Sequence, residues 1–175
     1  AIAVGAVGFE IARQVLWPTI PLPDGNSIVA LRNWNVADNA SVPASRSDYE
    51  RWRDGLPAIT DLSAVELEER SVAVGAGPGQ PESIANVTAS TFALTRVPAW
   101  MGRTLVDADE HSGEEVVVVG HDFWKNRLDQ AADAVGRVIH ISGRPVTIVG
   151  VMPPGYGFPQ RNEVWRPLRP GHVPE

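Results

Sequence analysis

Proline and glycine recur so often along this chain that no long regular element can run uninterrupted. The 175 residues include 15 prolines and 16 glycines, above the roughly 12% that average usage gives the two together. Proline fixes φ and lacks an N–H, and glycine loosens the backbone, so both end helices and strands. The fold must therefore be assembled from short strands and short helices joined by many turns. A hydrophobic fraction of 43% against 21% charged residues still belongs to a globular protein with a real core. The formal net charge of −6 leaves no dense basic face for nucleic acid. With no cysteine at all, thiol nucleophiles, thiolate zinc sites, iron–sulfur clusters and disulfides drop out.

The chain opens with nine uncharged residues, 1–9 (AIAVGAVGF), followed by Glu10 and Arg13 in a segment of helical character. That is too short to cross a bilayer, which takes about 20 residues, and it lacks the basic start of a secretory signal. Two readings stay open: an amphipathic helix packed on the core, or the end of a membrane helix. Pro18, Pro21 and Pro23 stop it. Residues 27–32 (SIVALR) read as a buried strand, and 33–45 as polar and irregular. Ser47 and Glu50 form the pattern of a capping box. The helix behind it carries Tyr49, Trp52, Arg53 and Leu56 and closes at Gly55 and Pro57.

Residues 62–74 predict one bent strand or two, a loop at 75–81 (GAGPGQP), and a return strand over 83–89. A short helix follows at 90–96 with Phe92 inward, and then an acidic loop at 107–115. Residues 115–120 (EVVVVG) are continuously apolar after the glutamate, which predicts a strand buried on both faces. A helix is expected over 121–132, with Phe123, Trp124, Arg127 and Leu128 on one side. Strands at 137–142 and 145–151 are joined by Gly143-Arg144, read as a type II′ turn. A rigid stretch at 152–159 and a last extended piece at 163–168 complete an α+β chain.

Chemistry is sparse in this pattern. Asp107, Asp109, Glu110, Glu114 and Glu115 supply hard oxygen ligands, but an EF-hand counted from Asp107 would place His111, Ser112 and Val118 at ligand or turn positions. The segment reads as a solvated loop. His111, His121, His140 and His172 show no i, i+4 zinc spacing, and no spacing selects a His121–Asp107 pair as acid and base. Gly75-Ala76-Gly77-Pro78-Gly79 precedes a strand instead of a helix, so a hairpin tip is the better reading than a phosphate cradle. Trp17, Trp52, Trp124 and Trp165 fall on apolar faces, whereas Trp100 sits on a loop with room to be exposed. No residue is assigned a catalytic, cofactor-binding or metal-binding role.

The second half carries a recognisable order of motifs. Gly102-Arg103-Thr104-Leu105 and Asp107-x-Asp109 lead to the valines 116–119 and to Phe123-Trp124-Lys125-Asn126-Arg127-Leu128. Val135-Gly136-Arg137, the hairpin at 139–144, Thr147 to Tyr156 (TIVGVMPPGY) and Val164-Trp165-x-Pro167-Leu168 follow. Upstream stand Pro21-Leu22-Pro23-Asp24, a Ser-x-x-Asp-Tyr-x-x-Trp-Arg element that begins at Ser45, and 87–92 (VTASTF). From Val15 to Leu168 the chain resembles the MacB-like periplasmic core domain of ABC transporter permeases, in particular the orphan permeases with duplicated modules, although only one core domain is present. Glu10 and Arg13 depart from a membrane-buried segment.

The resemblance implies a two-lobed α+β domain: the end of a transmembrane helix and linker at 1–25, a porter-like strand–helix–strand lobe at 26–105 and 156–175, and a smaller inserted α/β lobe at 106–155. It implies a non-catalytic domain on the periplasmic side of the inner membrane that couples ATP-driven motion of membrane helices to substrate or partner proteins in transport or efflux. The implied partners are the remainder of the permease, its cytoplasmic ATPase, a second permease copy and a periplasmic adaptor, with no cofactor. Pro98 and Pro153-Pro154-Gly155 are the expected hinges. The alternatives are a free-standing extracytoplasmic ligand-binding or sensor module and, least favoured, a hydrolase working through the acidic segment.

Overall fold

A computed structural model describes residues 28–35, 39–42, 44–56 and 59–169. The chain divides into two compact units, Ala1–Ala44 and Ser45–Glu175. In the first, β1 (Asn33–Asn35) and β2 (Ala40–Val42) form an antiparallel pair with Trp34 opposite Ser41. This corrects the expectation for the region. Residues 28–32 are not a strand, and Val29 is exposed. The pairing falls instead on the polar stretch, where Asn39 takes the left-handed conformation (φ 48°) that asparagine tolerates in a turn. Trp17 and His172 lie outside the described residues, as do residues 1–27 as a whole.

The second unit opens with α1 (Arg46–Gly55), capped two residues earlier than expected. Ser45 Oγ accepts the Asp48 N–H (3.2 Å), and the Ser45 N–H donates back to Asp48 Oδ2 (2.9 Å). Ser45-x-x-Asp48 thus takes the role expected of Ser47 and Glu50, an equivalent serine–acid spacing. Beyond it come β3 (Val65–Val74), β4 (Gln80–Val87), α2 (Ser90–Thr95), β5 (Met101–Gly102), α3 (Asp107–His111) and β6 (Val116–Val119). Then follow α4 (His121–Arg127), β7 (Val138–Ile141), β8 (Arg144–Val151) and β9 (Val164–Pro167).

Seven strands make one sheet in the order β5-β8-β6-β9-β4-β3-β7, and β7 pairs again with β8. Six of them therefore close on themselves, which removes most of the exposed edges an open sheet would carry. β8 makes the closure because it has two neighbours on one side: β7 along Arg144–Thr147 and β5 at Gly150 and Val151. Its other side takes β6 in parallel, with a register shift between Val117 and Val118. The strands at 106–155 and those on either side of that range are interleaved in this one sheet, since β7 pairs with β3 and β6 with β9.

Alternation along the strands separates two apolar groups. Inside the ring, Val72, Ile84, Val117, Val119, Ile148 and Val164 join the cluster that includes Phe123, Trp124 and Leu128 of the α4 region. Outside it, Trp165 is fully buried beneath Tyr156 (ring centroids 5.2 Å), and Tyr156 stacks on Phe92 of α2 (6.2 Å). The four valines of β6 are buried on both faces, as the apolar run predicts. The β7–β8 turn is Ser142-Gly143, both at positive φ (50° and 80°), with Ile141 opposite Arg144. That is the type I′ combination one residue earlier than the expected II′ turn.

Candidate functional site

The acidic stretch 107–115 is a loop only from residue 112 onward. Residues Asp107–His111 form α3, and the carboxylates are distributed among structural tasks. Asp109 is 3% exposed, with its oxygens held by Arg103 (2.6 and 2.9 Å) and by the Val106 N–H (2.9 Å). Burial works against its charge, but the guanidinium and the N–H outweigh this and hold the carboxyl below its ordinary value. Glu110 accepts the Ala89 N–H at 2.7 Å, just ahead of α2, and burial pushes its carboxyl up. Glu115 receives Arg166 and Arg169, each at 2.9 Å. Among the described residues no three His, Asp or Glu side chains stand together as a metal site.

A concavity lies elsewhere, at the start of α4. A cleft of about 230 Å³ is lined by His121, Asp122, Gly155, Tyr156, Gly157, Arg161 and Glu163. β6 ends at Val119, and the N–H of the next residue, Gly120, donates to the Glu163 carbonyl (2.7 Å), so the strand delivers His121 directly to the cleft wall. Glu163 Oε2 accepts the Phe123 N–H at 3.1 Å. Burial raises the Glu163 carboxyl, the Phe123 N–H offsets part of this, and Asp122 and Glu82 add to the rise. Tyr156 is pushed up to about 12 by burial, against the hydrogen bond it shares with Thr95 (3.2 Å). At pH 7 its phenol is a neutral hydrogen-bonding group.

His121 meets Asp122 (Nδ1–Oδ1 3.5 Å), not Asp107. Its ring is flanked by Trp100 (5.3 Å) and Trp124 (5.4 Å), and the two indoles pack edge-on at 4.8 Å. Trp100 is 50% exposed, as its loop position suggested, yet one side of it is anchored. His111 Nδ1 lies 3.0 Å from the Asp107 carbonyl, and His140 is mid-strand in β7. The Gly75–Gly79 stretch is the β3–β4 hairpin tip. A nucleophile aligned with a base does not occur in the cleft. Its walls carry carboxylates, an imidazole, a neutral phenol and an arginine. Its members come from two separated stretches of chain, 121–122 and 155–163, and no local motif marks them.

Comparison with known proteins places this geometry. The family model described as MacB-like periplasmic core domain matches residues 2–172. The fold is similar to the extracellular domain of the noncanonic ABC-type transporter YknZ from Gram-positive bacteria (TM-score 0.61, 15% identity, 71% of this chain and 63% of that one). It is also similar to the periplasmic region of MacB from Actinobacillus actinomycetemcomitans (TM-score 0.58, 17% identity, 78% and 63%). A domain of a permease protein from Porphyromonas gingivalis aligns with TM-score 0.54, 13% identity and coverage of 74% and 56%. The chain thus spans less than two thirds of each of these neighbours. No curated protein matches it. Among the described residues no helix is long and apolar enough to cross a membrane. With the family model matching from residue 2 to residue 172, the chain belongs to the MacB-like periplasmic core domain family of ABC transporter permeases.

Proposed function

We propose that this domain stands on the extracytoplasmic side of the membrane and works mechanically, passing ATP-driven motion of membrane helices to substrate or to partner proteins. The match to the family across residues 2–172 carries this reading. The closed ring supports it, because strands that pair around a full circuit transmit displacement instead of absorbing it. The partners are the rest of the permease, its cytoplasmic ATPase, a second permease copy and a periplasmic adaptor. The domain performs no covalent chemistry in this scheme.

Because the chain contains no cysteine, a single introduced thiol reports one position cleanly. Ser142→Cys, in the exposed β7–β8 turn, should react on intact cells with a membrane-impermeant maleimide. Labelling only after the cells are broken would contradict an extracytoplasmic location. A second reading, a ligand-binding or sensor module, is favoured by the cleft of His121, Tyr156, Arg161 and Glu163. It requires a small molecule that binds the isolated chain and is lost on Tyr156→Ala.

A further inference from the structure

We propose that the outward edge of β3 over Val65–Arg70 accepts an extended segment of a partner protein by strand addition, and that this segment alternates apolar with basic residues. The direction of the backbone groups follows from one hydrogen bond. The Ala64 carbonyl accepts the Thr88 N–H at 3.1 Å, so residues 64, 66, 68, 70 and 72 turn their main-chain groups toward β4. In an antiparallel ladder the intervening residues turn theirs the opposite way. Ser71 confirms the phase, since its carbonyl accepts the Ser142 N–H from the β7–β8 turn (2.8 Å). β7 covers β3 only along Val72–Val74. Val65, Leu67 and Glu69 therefore present N–H and C=O groups that no described residue takes.

Strand edges left this way are usually blunted by charged side chains, a proline or a bulge. Residues 65–70 (VELEER) contain no proline, and their ladder with β4 runs from Val65 to Val72 without a register shift. The charges they carry are three glutamates to one arginine, which repel an acidic strand and favour a basic one. The side chains define the occupant. On one face Val65 and Leu67 are 38% and 39% exposed, an apolar stripe two residues apart. On the other face Glu66 Oε2 is buried and accepts no hydrogen bond, whereas Glu68 is already paired with Arg70 (2.7 Å) and lies 3.7 Å from Arg166. A strand laid along the edge buries the stripe with its apolar side chains and sets a basic one beside the Glu66 carboxylate. A second copy of this chain fits poorly. An antiparallel self-pairing centred anywhere on Glu66–Glu68 sets glutamates opposite one another.

The proposal does not depend on the transport role, and its test reads the edge alone. The probe is a blocked eight-residue peptide of alternating valine and lysine, added to the 175-residue chain and followed by amide hydrogen exchange. The expected result is slowed exchange at Val65, Leu67 and Glu69 on peptide addition. Binding should be roughly tenfold or more weaker for the valine–glutamate peptide and for a valine–lysine peptide N-methylated on alternate amides. Leu67→Pro removes an outward N–H while leaving the ladder to β4 intact, and should weaken binding to a similar degree. If that variant fails to fold, the N-methylated peptide decides the same question. Three results overturn the proposal. One is protection of these amides before peptide is added, whether by a second copy or by this chain's own residues. Another is protection mapped elsewhere, and the last is equal binding by all three peptides.

Discussion

Arg103 and Asp109 form a two-point ion pair, Nη1–Oδ2 at 2.6 Å and Nη2–Oδ1 at 2.9 Å, in which the carboxylate is buried and the guanidinium half-exposed. The same carboxylate takes the Val106 N–H, so one side chain ties β5's exit to the start of α3. Asp109→Ala leaves the arginine free to reach water but orphans that N–H. The expected loss is about 2 kcal/mol, seen as a fall in Tm of roughly 4–8 °C. Arg103→Ala leaves the buried carboxylate without its cation and should cost more than Asp109→Ala in the same melt, and the reverse order would contradict the assignment.

The pH dependence of stability separates Asp109 from Glu163 by sign. Asp109 is depressed in the fold, so its contribution is present above the unfolded carboxylate pKa and is lost as pH falls through the folded value. Glu163 is raised, so its contribution is full below the unfolded pKa and is lost as pH rises through the folded one. Thermal melts from pH 3 to 8 should show the Asp109→Asn deficit shrinking toward acid. Glu163→Gln should gain on the parent protein as pH rises. Parallel curves for the two variants would refute both.

Trp165 joins the outer apolar group to the cleft segment. It is fully buried, packs on Tyr156, and its Nε1–H donates to the Phe158 carbonyl at 2.7 Å. Trp165→Ala should cost about 3–5 kcal/mol by removing both volume and donor. Trp165→Phe should retain part of that, as read from urea denaturation midpoints. Near-equal midpoints for parent and Ala variant would mean that the ring is not the packing centre described.

Gly150 is required by a close backbone approach. A Cβ there would fall 2.0 Å from the Arg103 carbonyl oxygen, at the point where β5 crosses β8. Gly150→Ala should therefore push β5 away and cost about 1–3 kcal/mol. Gly113, open on all sides but at φ +74°, should lose less on the same change. Equal losses would remove the steric argument.

Much of the local structure is legible in the residues, and the long-range structure is not. Four consecutive valines admit little but a doubly buried strand, and Val116–Val119 is one. Gly143 marks its hairpin, but the turn's position depends on Ser142 accepting a positive φ, which a serine does not advertise. The helix cap is expected at Ser47–Glu50, whereas Ser45–Asp48, a pair of the same spacing two residues earlier, makes it. The acidic stretch looks solvated because Asp109's partner lies six residues upstream with no motif between them. Ring closure through β3–β7 and β4–β9 has no local signature at all. The cleft is hidden for the same reason: His121, Tyr156 and Glu163 meet only because β6 and β9 pair at their ends.

The mechanical claim is tested most directly by spin-label distances in the intact transporter. One pair, Ser142→Cys with Arg161→Cys, sits within this domain, and a single Ser142→Cys in each of two permease copies spans between domains. Pulsed electron resonance would compare the nucleotide-free and ATP-trapped states. The account predicts an unchanged distance within the domain and a shifted distance between copies. A shift within the domain with none between copies would contradict a rigid body that carries motion outward.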